Sequence, residues 1–291
     1  MESEFIEEVL ALTLKRLAKK IVGRDRHSFW HRYIYEKPSQ KWRNELISNS
    51  RYPSELKAYG ENFVSDGLLV LPEFFKGPEL KALQDEFEKL LNTNGKECDH
   101  GEFQIPRNPL VNSQTVLKAA LDPLLLDIQR FYWGKDLYMS DVVASRIEPI
   151  DVKDYGSFQW HHDGKRKYSK TFILLSDLEP DGQRTEYIVG SHKNWHKDWD
   201  SGRDSRFPSD RFEGDQKRAS ITGKAGTVAF LDANGFHRGN RNSTARRDLL
   251  SVCFTAGEML YHFGEIENKV FDELSDLQRS TIDRPPTIWN K

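Results

Sequence analysis

Trp160-His161-His162-Asp163-Gly164 and Gly235-Phe236-His237-Arg238-Gly239 are the two stretches on which the fold turns. If residues 161–163 are extended, successive side chains alternate between faces. His161 and Asp163 then point one way and His162 points the other. His237 follows the strand-like run Gly226-Thr227-Val228-Ala229-Phe230-Leu231-Asp232, far from the first stretch in sequence. A third ligand from another strand completes two imidazoles and one carboxylate on one side of a metal ion. Either histidine alone reads equally as a buried, hydrogen-bonded imidazole. The combination carries the reading, because this donor set with open positions is the one used by non-haem Fe(II) oxygenases.

Arg246 and Arg247 lie on the strand expected next. Fe(II) held by His161, Asp163 and His237 keeps three positions open, two for a 2-oxo acid and one for dioxygen. The far carboxylate of 2-oxoglutarate then needs a buried partner. A guanidinium suits it better than an ammonium, because its planar fork matches a carboxylate. Adjacent strand residues face opposite ways, and Arg247 shares its face with Leu249 and Ser251, so Arg247 is the expected co-substrate residue.

The chain around these stretches reads as a series of short strands from about Leu137 onward. Candidates are 138–147, 157–162, 169–176, 185–190, 225–231, 235–238 and 249–256, separated by turn signals such as Asp181-Gly182 and Gly190-Ser191. Eight strands in two sheets make a jelly roll, so the expected class is mainly β with flanking helices. The long polar stretch 191–224 reads as a lid or binding loop that shapes the pocket, with Trp195, His196, Trp199, Phe207 and Phe212. Upstream, Leu68-Leu69-Val70-Leu71 reads as a strand. Helices are expected from Pro78, from Ser113, and beyond Pro123. An amphipathic helix over residues 4–21 would pack on the body of the chain or on a second copy, giving a homodimer. One further helix is expected around Asn268 to Leu277. The expected division is 1–60 as a helical extension, 61–258 as the β domain and 259–291 as a partly helical tail.

Of the 291 residues, 37% are hydrophobic and 30% charged, enough for a sizeable core in a globular chain. A net charge of −2 gives no field favouring nucleic acid or a membrane surface. The two cysteines, Cys98 and Cys253, form no zinc pair or disulfide framework, which suits the cytoplasm. No stretch is apolar for the length of a membrane span. Cys98-Asp99-His100 reads as a chance cluster.

The sequence resembles the phytanoyl-CoA dioxygenase-like (PhyH) family of Fe(II)/2-oxoglutarate oxygenases. The matching pieces run in family order over roughly residues 60–257. They are Asp66 to Phe75, Ser145-Arg146-Ile147, the His161 to Asp163 motif, Leu174 to Asp177, Gly190-Ser191-His192-Lys193, and His237-Arg238-Gly239 with Asn242-Ser243 and Arg247. The resemblance implies a double-stranded β-helix with the metal at its mouth. It gives ligand roles to His161, Asp163 and His237, and co-substrate roles to Arg247 and to Thr171 on the strand after the metal motif. Related halogenases replace the carboxylate with a small residue. With Asp163 in place, the expected reaction is hydroxylation of a C–H bond in a small polar metabolite or natural-product intermediate, releasing succinate and carbon dioxide. The same residues would also serve an isomerase, epimerase or ring-forming oxidase, and a non-catalytic jelly roll that retains a metal is the reading from another class. Two departures fall in loops near the substrate: Val189 stands where the family turn carries proline, and Asp181-Gly182-Gln183 replaces a glycine-rich approach.

Overall fold

The computed structural model describes residues 38–97, 102–105, 110, 112–149, 156–163, 168–193, 206–212, 217–239, 244–256 and 268–282. The helix expected over 4–21, the Cys98-Asp99-His100 cluster and the Trp195, His196 and Trp199 group lie outside them.

Short strands with apolar alternation assemble into two antiparallel sheets. The larger contains β1 (Leu68–Leu71), β2 (Lys96–Glu97), β3 (Glu102–Ile105), β4 (Leu137–Ile147), β6 (Tyr168–Leu174), β10 (Val228–Asp232) and β12 (Arg247–Ala256). Their order is β1-β10-β6-β12-β4-β3-β2. The smaller contains β5 (Trp160–His161), β7 (Thr185–Ile188), β8 (Arg206–Phe207), β9 (Arg218–Ile221) and β11 (His237–Gly239). Their order is β8-β5-β11-β7-β9. From β4 onward the chain passes back and forth between the sheets, with β7, β8 and β9 following one another in the smaller one, which is the jelly-roll arrangement expected. The four middle strands of the larger sheet and β5, β11, β7 and β9 form the roll, and the sheets keep open edges rather than closing into a barrel.

The period of two sorts the strand side chains into two cores. Phe172, Leu174, Tyr187, Leu231 and Leu249 are buried between the sheets. Ile173, Phe230, Leu250, Val252 and Phe254 point the other way, into a helical layer on the larger sheet. That layer holds α1 (Gln40–Asn49), α2 (Pro53–Asp66), α3 (Gly77–Asn94), α4 (Gln114–Ala120) and α5 (Pro123–Trp133). Its helices begin where local chemistry dictates. The Ser39 and Ser113 hydroxyls accept from Trp42 N and Val116 N, and Asp122 Oδ1 accepts from Leu124 N and Leu125 N ahead of a proline at the first turn of α5. Phe63 of α2 stacks on Tyr132 with ring centroids 4.1 Å apart and lies 5.7 Å from Phe230. Phe230 is fully buried. Phe230→Ala is expected to cost about 3–5 kcal/mol, the range for aromatic truncation in a core, read as a fall in the denaturant midpoint at unchanged slope.

Several boundaries differ from expectation. The boundary at residue 60 falls inside α2, whose Leu56 and Phe63 are buried in the main core. The strand expected over 157–162 is only β5, because Gly156–Phe158 coils into a 3-10 turn. The tail helix is two helices, α6 (Asn268–Asp272) and α7 (Asp276–Ile282), since the Ser275 hydroxyl caps a new start by accepting from Gln278 N. The stretch read as a pocket-shaping loop contributes β8 and β9 to the smaller sheet. Its Phe207 and Phe212 pack with Trp160, Ile188 and Phe236. Trp160 and Phe236 each precede a site histidine and face away from it, so these aromatics back the smaller sheet instead of covering the pocket.

Candidate active site

His161 and His237 are direct partners across the antiparallel β5/β11 pair, so their side chains share the inner face. Their ring centroids are 4.3 Å apart. Asp163 lies two residues past the end of β5, and its N–H donates to Ala233 O at 2.7 Å, tying it to the turn that leads into β11. Asp163 Oδ1 lies 3.5 Å from His161 Nε2 and 3.7 Å from His237 Nε2. One ligand atom from each of the three lies within 4.8 Å of the others.

Each Nδ1 faces a carbonyl two residues back, Gln159 O at 2.8 Å for His161 and Gly235 O at 2.9 Å for His237. With Nδ1 carrying the proton, each Nε2 presents its lone pair toward Asp163. His237 Nε2 is buried and has no hydrogen-bond partner. Such an orphan is costly, and a metal ion is the partner that suits two lone pairs and a carboxylate oxygen. The residues therefore fit a divalent metal. Gly235 is required by the same turn, since a Cβ there would lie 1.9 Å from the Tyr187 hydroxyl oxygen.

Burial pushes His237 down to about 3, with the neighbouring His161 adding to the effect, and burial also lowers His161. Burial works against ionisation of Asp163, yet Lys170, His237 and His161 together hold its carboxyl well below the usual range. The unfolded chain therefore takes up a proton on His237 near 6.5 that the folded chain takes up only near 3. Between those values the unfolded state binds more protons, so stability rises with pH and falls on acidification. The metal-free protein is expected to lose stability from about pH 6.5 toward 3. Urea titrations across that window should show a shallower pH slope for His237→Gln.

Lys170, on β6, was not singled out from the sequence. Its ammonium contacts Asp163 Oδ2. The carboxylate is thus divided, with Oδ1 toward the imidazoles and Oδ2 toward the lysine. The available signal was a lysine sharing a strand face with Phe172 and Leu174. The neighbouring expectation, Thr171 as a co-substrate contact, is corrected by the same alternation. Thr171 faces the helical layer, where its buried hydroxyl accepts from Gln129 Nε2 at 2.9 Å. Gln129 Oε1 in turn accepts from Ser169 Oγ at 2.7 Å, so Thr171 belongs to a structural network behind the sheet.

The two arginines separate as alternation dictates. Arg247 shares the inner face with Leu249, and its Nη1 donates to Gln183 O at 3.0 Å and to Thr185 Oγ1 at 3.4 Å. Thr185 lies two residues along β7 from Tyr187, the partner of His237. Two strand residues span roughly 7 Å. Arg246 points outward, with Nη2 3.2 Å from Asp248 Oδ2, and Asp248 also receives Arg146 Nε at 2.8 Å.

His162 turns away from the triad and lies against Phe207 and Phe236, with centroids 6.0 and 5.9 Å away. The Gly190-Ser191-His192 turn acts through side chains that reach backbone groups of its neighbours. Ser191 Oγ accepts from Phe236 N at 2.8 Å, and His192 Nε2 lies 3.2 Å from Val64 O, anchoring the residue before His237 to α2. Behind the site, Arg238 Nε donates to Glu186 Oε2 at 2.7 Å, and its guanidinium sits 4.5 Å from the Trp160 ring centroid.

A family model described as Phytanoyl-CoA dioxygenase (PhyH) matches residues 63–248, which span both sheets and the triad. The chain belongs to the phytanoyl-CoA dioxygenase family. It is an oxidoreductase of the Fe/2-oxoglutarate-dependent oxygenases. Ectoine dioxygenase of Stutzerimonas stutzeri (strain A1501) is 26% identical over 232 residues, covering 66% of this chain and 74% of that protein. The epimerase SnoN, solved with Fe3+, alpha ketoglutarate and nogalamycin RO, superposes with a TM-score of 0.56 at 16% identity over 70% of this chain and 84% of SnoN. EctD from S. alaskensis with bound Fe gives 0.50 at 19% identity over 72% of this chain and 80% of EctD. These two structural likenesses show the jelly-roll fold. Among the described residues, no helix is long and apolar enough to cross a membrane.

Proposed function

We propose that this PhyH-family chain is an Fe(II)/2-oxoglutarate-dependent dioxygenase that hydroxylates a C–H bond of a small polar molecule in the cytoplasm. His161, Asp163 and His237 would hold the iron, and Arg247 would hold the far carboxylate of 2-oxoglutarate. The single observation that carries this reading is the buried, partnerless His237 Nε2 facing Asp163 Oδ1 beside a second imidazole. When bound, iron supplies the coupling of 2-oxoglutarate and dioxygen consumption to substrate oxidation, leaving succinate and carbon dioxide.

The chain's own groups do the rest. The Gln159 and Gly235 carbonyls hold both imidazoles in the tautomer that leaves Nε2 free. Arg247, already oriented by Gln183 O and Thr185, offers a pre-set fork to a carboxylate. Phe172, Leu174, Tyr187 and Leu249 form the apolar core between the sheets. All four site residues fall within residues 63–248, the stretch that the family model matches.

The test is succinate release coupled to oxygen uptake in the iron-loaded protein, with product analysis separating hydroxylation from epimerisation or ring closure on the same scaffold. Oxygen uptake without succinate would contradict the proposal. Because the exposed Arg246 points outward and pairs with Asp248, Arg246→Ala is expected to leave 2-oxoglutarate affinity within about twofold, as for surface substitutions, measured by calorimetry on the Ni(II)-loaded protein.

A further inference from the structure

Lys170 makes this centre carry one more positive charge than the metal chemistry requires. Cross-strand register places it on the inner face, opposite Leu231 on one side and Cys253 on the other. Its side chain is 21% exposed and its ammonium contacts Asp163 Oδ2. The Tyr168 ring centroid is 5.7 Å from Nζ. Without a metal, Lys170 and Asp163 neutralise each other. A divalent ion bound by Asp163 and neutral His161 and His237 changes that balance. The ion, Asp163, Lys170 and one carboxylate of 2-oxoglutarate then sum to a single positive charge, with the buried Asp141 one strand further along the same face beyond Cys253, while the far carboxylate is matched by Arg247. A largely enclosed cation that must share its counter-ion with a metal is unfavourable unless another anion arrives. An ammonium has three donors, and Asp163 takes one direction only.

We infer that Lys170 is a specificity-determining residue that binds a carboxylate carried by the substrate, so the substrates of this enzyme are small carboxylic acids or zwitterions. The inference rests on the iron and 2-oxoglutarate reading above and deepens it. It assigns no bond-making step to the lysine: the ammonium holds the substrate by a charge-assisted hydrogen bond, beside the metal that oxidises it.

The experiment is calorimetry on the full chain loaded with Ni(II) and 2-oxoglutarate. The probes are short amino acids and hydroxy acids, each paired with its own primary amide. At least one acid is expected to bind about tenfold or more tighter than its amide, a factor equivalent to ~1.4 kcal/mol. Lys170→Gln and Lys170→Met should each reduce that preference to within about twofold. The wild-type comparison stands alone should either variant fail to fold. Failure of every acid to bind, equal binding of acids and amides, or a preference that survives in a folded variant would overturn the inference. So would a loss of 2-oxoglutarate affinity in the Lys170 variants as large as in Arg247→Ala, which would make Lys170 a co-substrate contact. Failure of the protein to take up Ni(II) and 2-oxoglutarate at all would instead count against the iron and 2-oxoglutarate reading, so the two failures are distinguishable.

Discussion

His237→Ala is expected to abolish iron-dependent succinate release and to weaken metal binding far beyond the roughly 10–100-fold that loss of an outer hydrogen-bond partner causes. The reason is local. His237 Nε2 is a buried lone pair with no protein partner, and alanine leaves only His161 and Asp163 to meet the ion. The fold should persist, because His237 pairs with its neighbours through backbone, which the substitution keeps. Metal-free His237→Ala should lose less stability than wild type on acidification below neutral pH, since a histidine held neutral by burial is removed. Metal titration and thermal unfolding on the same preparation check both halves. A variant that binds metal normally would remove His237 from the ligand set.

Arg247→Ala is the second large effect, and it should separate co-substrate from metal. Truncating one partner of a buried, hydrogen-bonded charge pair costs about 2–5 kcal/mol. The dissociation constant for 2-oxoglutarate should therefore rise by roughly 30-fold or more, with metal affinity nearly unchanged. Arg247→Lys should recover only part of the loss, because an ammonium reaches a carboxylate as a point charge without the fork. Normal 2-oxoglutarate affinity in Arg247→Ala would move the role to another cation of the inner face, Lys170 being the nearest to Asp163 by contact.

The parts of this site legible in the sequence were those governed by strand alternation. His161 with Asp163 inward, His162 outward, Arg247 inward and Arg246 outward all follow from a period of two. The structure places each side chain on the face so expected. The two-sheet architecture was legible because many short apolar runs are separated by turn signals such as Asp181-Gly182 and Gly190-Ser191. Thr171 was misplaced by one residue of that same period. Its strand is buried on both faces, so polarity alone did not tell which side met the metal and which met α5. β9 escaped notice because Arg218-Ala219-Ser220-Ile221 is a polar edge strand in which only Ile221 is buried. The role of Phe207 and Phe212 was misread because an aromatic-rich segment between strands looks the same whether it covers a pocket or backs a sheet. Only the direction of Trp160 and Phe236 decides between the two.

The central claim is that three side chains grip one metal ion. Equilibrium Ni(II) titration of wild type beside His161→Ala, Asp163→Ala, His237→Ala and His162→Ala tests it most directly. The account predicts one ion per wild-type chain, the same ion retained in His162→Ala, and no saturable binding in the other three. Retention of a tightly bound ion in any one of those three variants would contradict it.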